Sequence, residues 1–152
     1  MGRSLEFVKG SALMKLSRTV AYAVQAVVQL AQSNADRPVP CSQLAADGHM
    51  PERFLLQILR NLVTHGVLHS TRGVDGGYSL KRQPEDITLL EVIEAIDGPL
   101  TATMPAMEGS RISVAETRLR EALGRVSDEC RRQLSSIKLS DLVGASSGRS
   151  NK

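Results

Sequence analysis

Residues 41–82 read CSQLAADGHM PERFLLQILR NLVTHGVLHS TRGVDGGYSL KR, and the fold is decided there. Residues 42–47 read as a short helix stopped by Gly48, since a glycine tolerates the left-handed conformation at a helix end. Pro51 suits the first turn of a second helix, where the N–H it lacks would be unpaired anyway. That helix runs to Thr64 and stops at Gly66, with Phe54, Leu55, Ile58, Leu59 and Leu62 on its inward face. Two helices joined by the tight turn Gly48-His49-Met50 make a helix-turn-helix. Residues 67–71 and 78–81 then flank the glycine-rich turn 72–77, which predicts a β-hairpin, or wing.

Upstream, Leu16, Val20, Val24, Val27 and Ala31 recur at the spacing of one helix face, with Ser17 placed to cap it. The polar, proline-containing stretch 34–40 breaks that helix. Residues 1–13 read as an N-terminal extension ahead of the domain. Downstream, Thr88-Leu89-Leu90-Glu91 is a capping-box pattern that opens a helix ending at Asp97-Gly98-Pro99. Residues 100–112 read as a loop, and Ser113-Val114-Ala115-Glu116 opens a long helix with the same pattern. Its apolar stripe is Ala115, Leu119, Leu123, Val126, Cys130 and Leu134, reaching toward Ile137. The stripe can be covered by a partner subunit or by its own chain. A partner is the expectation, because the compact domain already has its core.

The fold class expected is therefore mainly α with a small β-hairpin wing: a winged helix-turn-helix over 14–99, a loop over 100–112, and a dimerisation helix with a short last helix over 113–143. The Ser/Gly-rich stretch 144–152 is expected to be a disordered tail.

Composition bounds the function. In 152 residues 41% are apolar, only 3% are aromatic and none is Trp, so the core must be built from Leu, Val, Ile and Ala. There is no run of about 18 apolar residues and no signal-peptide pattern, which leads to the expectation of a cytoplasmic protein without a membrane span. The net charge of +3 is unevenly spread. Residues 14–82 carry eight Lys and Arg against four acids, whereas 83–112 carry six acids against Arg111. Ordinary surface charge accounts for such a distribution, but it also fits a first half that faces a polyanion.

Enzyme signatures are missing: there is no phosphate-binding G-x-x-x-x-G-K-[ST], no G-x-G-x-x-G, no H-E-x-x-H and no C-x-x-C. Gly73, Gly76 and Gly77 lie between two strand segments, so they read as a wing tip whose bare backbone can approach DNA closely. His49, His65 and His69 match no metal-ligand spacing and read as surface or half-buried residues. Cys41, at a helix start, is placed for a lowered thiol pKa and oxidation, or is simply a small residue there. Cys130 reads as a small hydrophobe of the long stripe. Subtracting the apolar face of the second helix leaves Arg53, Leu56, Gln57, Arg60, Asn61 and Thr64 outward. Arg can pair with guanine edges, Gln with adenine, and Leu can meet a thymine methyl.

Several motifs occur together, in order: Met14-Lys15-Leu16-Ser17-Arg18, Tyr22-Ala23, Phe54-Leu55-x-Gln57-Ile58-Leu59, Arg72-Gly73-x-x-Gly76-Gly77-Tyr78-x-Leu80, and Ile87-Thr88-Leu89-x-Glu91-Val92-Ile93. With Ile137-Lys138-Leu139-Ser140-Asp141-Leu142 as the last helix, residues 14–143 resemble the regulator family that includes IscR, NsrR and CymR. The resemblance implies a homodimer joined through the long helix, along Leu119, Leu123, Val126, Cys130 and Leu134. It also implies a double-stranded operator with two half-sites and a repressor role. It places Arg53, Leu56 and Gln57 on contact positions of the second helix and Arg72 in a minor groove, with Lys15, Ser17, Arg18, Arg60, Gly73, Gly76 and Gly77 completing the expected DNA-binding set. A thiol sensor acting through Cys41, or a helix-turn-helix dimer that binds protein, are the alternatives. The effector, small molecule or protein, is left open.

Two departures matter. Leu56 stands where iron–sulfur members of the family often carry an acidic residue, and a Leu cannot accept a hydrogen bond from a cytosine amino group. Cluster-binding members carry three cysteines after the position of Pro99, but residues 100–112 contain none. Met104, Met107 and Glu108 are too few and too weak to replace thiolates. The expectation is a cluster-free member with no metal site. Protein produced anaerobically with ample iron and sulfide should therefore be colourless; stoichiometric iron with a visible charge-transfer band would contradict it.

Overall fold

The computed structural model describes residues 15–33, 37–102, 104–106, 108–109 and 113–147. The expected extension 1–13 lies outside the described residues. In chain order the elements are α1 (Arg18–Gln32), α2 (Cys41–Gly48), α3 (Glu52–Thr64), β1 (Leu68–Thr71), β2 (Gly77–Leu80), a 3-10 turn (Pro84–Asp86), α4 (Leu89–Asp97), α5 (Ser113–Ser136) and α6 (Leu139–Ser147). The last helix thus takes in the first four residues of the stretch expected to be a disordered tail; 148–152 lie outside the described residues. No helix among the described residues is long and apolar enough to cross a membrane.

α1 is the central post. Ser17 accepts the amide of Val20 at 3.1 Å, satisfying a donor that the first turn leaves without an intrahelical partner. Val20, Ala23, Ala26, Val27 and Leu30 are buried, and the alanines let neighbouring helices come close. α2, α3, β2, α4 and α6 all pack on this helix. Leu16 lies ahead of the helix and is exposed rather than part of its apolar face. The turn between α2 and α3 also differs from the expectation. His49, with φ 52°, takes the left-handed position assigned to Gly48. The Gly48 carbonyl instead accepts the side-chain amide of Gln25 at 2.9 Å, which ties the turn to α1.

The hairpin pairs Leu68 with Leu80 and Thr71 with Gly77, antiparallel. A second antiparallel pairing, between Val39 and Tyr78, fastens β2 to the segment that leads into α2: the Val39 amide donates to Tyr78 O at 2.9 Å and the Tyr78 amide returns to Val39 O at 2.8 Å. At the far end of the domain, Leu89 N donates to Ile137 O and Leu139 N to Ile87 O, so the start of α6 is stitched to the start of α4.

The Thr88 capping box forms in both directions. Glu91 N donates to the Thr88 hydroxyl at 3.1 Å, and Thr88 N donates to the Glu91 carboxylate at 2.8 Å. Arg82, counted above in the basic block, is turned inward. It donates to Asp86 O at 2.8 Å and pairs with Glu91 at 2.6 Å. Burial alone pushes the Glu91 carboxyl up, but the hydrogen bonds from Arg82 and Thr88 and the guanidinium charge outweigh it, holding the group below its usual 4.5. A depressed folded-state pKa contributes stability that is complete above the usual carboxylate range and is lost as the pH falls through the folded value. Glu91→Gln should therefore cost roughly 0.5–1 kcal/mol at neutral pH, discounted for partial exposure, and almost nothing at a pH well below the lowered folded-state value. Urea denaturation of both proteins at the two pH values checks it.

Candidate nucleic-acid interface

α3 buries Leu55, Ile58, Leu59 and Leu62, leaving no more than 1% of any of them exposed. Because the helix repeats every 3.6 residues, that face forces Arg53, Gln57, Arg60 and Thr64 onto the opposite side, and all four are exposed. Leu56 and Asn61 flank this stripe and are half-buried. The Gln57 side chain donates to Asn61 at 3.4 Å, and Thr64 donates back to Arg60 O at 3.0 Å. Both are weak or local, so the amide of Gln57 can be recruited by a ligand.

Phe54 departs from the inward face assigned to it: it is 43% exposed. Its ring stands edge-on to Tyr22 of α1, with centroids 5.9 Å apart and planes at 79°. That geometry favours the ring quadrupoles and sets the first turn of α3 against α1. The motif pair Tyr22 and Phe54 was the only sequence signal of this contact.

Arg72 and Lys81 are exposed at the two ends of the wing, and Lys15 and Arg18 are exposed at the start of α1. The Ser17 hydroxyl is occupied: it caps α1 and makes long contacts of 3.4 Å to the Asp97 carboxylate. The wing glycines divide. Gly73 has φ 113° and open space around it. Gly76 and Gly77 are instead required by the fold. A Cβ on Gly76 would come within 2.2 Å of Thr71 O, and one on Gly77 within 2.4 Å of the Val39 backbone. These two glycines approach their own chain closely.

Of the two readings of Cys41, a lowered thiol pKa or simply a small residue at a helix start, the surroundings favour the second. Burial pushes the thiol up, and the nearby Glu52 carboxylate adds to this, so the helix start does not produce a ready thiolate. Its sulfur lies 3.7 Å from Glu52 O at the entrance to α3. Among the described residues no group of three or more His, Cys, Asp or Glu side chains is placed to hold a metal.

The long-helix residues do not share one environment. Leu119 and Val126 are 44% and 64% exposed, and Leu123 and Cys130 are half-buried. Leu134, expected against a partner, is only 8% exposed within its own chain, packed with Val20, Leu90 and Ile93.

Comparison with known proteins bears on this geometry. Residues 16–145 match the model of the Rrf2 family, iron-dependent transcriptional regulators. An HTH-type transcriptional regulator of Mycobacterium tuberculosis (strain ATCC 25618 / H37Rv) is 42% identical over 89 residues, covering 59% of this chain and 55% of that protein. The chain thus spans about half the length of this mycobacterial relative. The regulator IscR of Photorhabdus laumondii is 33% identical over 132 residues, covering 86% of this chain and 79% of IscR. The structure of CymR, the global cysteine regulator of Bacillus subtilis, superposes with a TM-score of 0.68 at 26% identity, covering 88% of this chain and 98% of CymR.

The two roles of the wing glycines separate experimentally. Gly77→Ala should lower stability by about 1–3 kcal/mol through overpacking against Val39. A thermal melt unchanged from wild type, with weakened DNA binding alone, would return Gly77 to the contact surface.

Proposed function

The chain belongs to the Rrf2 family of transcriptional regulators, and from that premise we propose that it is a homodimeric, sequence-specific repressor that occludes promoter DNA. The observation that carries the reading is the exposed stripe Arg53, Gln57 and Arg60 on α3, flanked by a wing that ends in Arg72. α3 lies in the major groove, where Gln57 offers a donor and an acceptor to one adenine and Leu56 offers an apolar contact to a thymine methyl. Arg72 reaches the minor groove, where a narrow groove concentrates negative potential. Lys15, Arg18 and Lys81 meet phosphates, which position the protein without reading sequence.

The second subunit is proposed to cover Leu119, Leu123 and Val126, an apolar run that water otherwise wets. Leu134 and Cys130 serve the inside of the chain instead, at the base of α5. The donor set does not fit an iron–sulfur cluster, because residues 100–112 offer no thiolate, so the protein is proposed to work without one. The raised Cys41 thiol weighs against the sensor reading.

Titrating wild type, Gln57→Ala and Arg72→Ala against selected and random duplexes at several salt concentrations tests the assignment. Gln57→Ala should lose about 1–3 kcal/mol on the selected sequence and little on random DNA. Arg72→Ala should weaken binding to both and flatten the slope of log affinity against log salt by about one unit. Three superimposable sets of curves would move the DNA-binding face elsewhere.

A further inference from the structure

Among the described residues, the contacts of α5 with the head gather in its C-terminal half, and they are polar as well as apolar. Cys130 and Leu134 pack with Val20, Leu90 and Ile93. Between them, Arg131 forms an ion pair with Glu94 of α4. The same Glu94 oxygen accepts the amide of Leu100 at 2.7 Å, just after the helix-ending Gly98. Two residues on, Ala102 N donates to the Ser127 hydroxyl of α5 at 2.7 Å. One carboxylate therefore ties together α4, the chain that leaves it, and the long helix. Burial pushes the Glu94 carboxyl up, but these two donors and the guanidinium charge hold it below its usual 4.5, so it stays charged at neutral pH.

The joint lies beside the DNA-reading helix. Glu94 and Arg131 line one groove together with His65, the residue that caps the C-terminus of α3. Leu119 and Val126, one turn and more away from the joint, are exposed. The Arg131–Glu94 pair thus lies where α5 meets the head, in one groove with the end of α3.

We propose that Glu94 and Arg131 are positioning residues for half-site spacing: by fixing the angle between α5 and the head, they set the separation and rotation of the two recognition helices. This rests on the dimeric reading above. In a dimer joined through α5, any change of that angle is carried to both heads. DNA is sensitive to the result, because one added base pair moves a half-site by roughly 3.4 Å and rotates it by about 35°. An apolar contact at Leu134 resists separation but tolerates rotation, whereas an ion pair shared with a backbone amide restricts direction.

The test uses duplexes selected by the full-length protein from a random pool, resynthesised with one base pair inserted or removed between the half-sites. Wild type, Arg131→Lys and Arg131→Met are compared, with sedimentation and thermal melting run alongside. Arg131 is partly exposed, and Met keeps its apolar stem, so the variants should fold and dimerise. Wild type should prefer its selected spacing by about tenfold or more, a difference of the size a mismatched base pair produces. Arg131→Met should reduce that preference to less than about threefold, still as a dimer and still dependent on Gln57, while Arg131→Lys, which keeps the charge, should retain most of it. A folded, dimeric Arg131→Met protein with wild-type spacing preference overturns the proposal and leaves the dimer intact. A wild-type protein that sediments as a monomer on and off DNA overturns the dimeric reading, and this proposal with it.

Discussion

Burial of Leu55, Ile58, Leu59 and Leu62 is the constraint on which the rest of the molecule depends. Each side chain contributes on the order of 1.5–3 kcal/mol by leaving water, so the four together make α3 immovable on the scale of ordinary surface interactions. Because the helix is rigid, fixing one face also fixes the other. Arg53, Gln57 and Arg60 are presented outward as a consequence of the packing beneath them, and no polar contact is needed to aim them. Tyr22 and Phe54 then set the first turn of the helix, and the Gln25 hydrogen bond to Gly48 O holds the turn before it.

The wing obeys a second backbone constraint. A two-stranded hairpin alone is marginal in water, and this one gains a third strand segment through the Val39–Tyr78 pairing. That pairing leaves no room for a side chain on Gly77, and the turn that closes the hairpin leaves none on Gly76. Arg82 continues the anchoring, fastening the exit of β2 to Asp86 and to the capping box of α4. A basic residue next to a wing invites assignment to DNA; here the geometry spends it on holding the wing's base. Arg72, Gly73, Val74 and Asp75 remain exposed at the wing's tip, and Lys81 at its exit.

The long helix divides into a docked base and a projecting arm. At the base, Leu134 and Cys130 join the smaller apolar cluster formed by Val20, Leu90 and Ile93, and Arg131 meets Glu94. Along the arm, Leu119 and Val126 are left to solvent in a single chain. An arm of this kind converts small angular differences at its base into larger displacements at its tip. That is why the polar joint carries more meaning than its modest energy suggests.

Periodicity and punctuation in the sequence determined the elements, because these depend on neighbours in the chain. The caps at Ser17 and Thr88, the stop at Gly66, the hairpin around 72–77 and the apolar face of α3 were all legible, as was the outward set that includes Gln57. What only the tertiary structure decided involves residues distant along the chain. His49 rather than Gly48 takes the left-handed position, and Gly48 is bare because Gln25 of α1 and Met50 crowd it. Phe54 faces outward because Tyr22 receives its ring edge-on. Gly77 is bare because Val39 crosses it, and the Cys41 thiol is raised because packing removes its water. Leu134 leaves the stripe for the core because α4 lies beneath it. A helical pattern records which residues share a face, but burial is decided by what the chain brings against that face, and no local spacing encodes it.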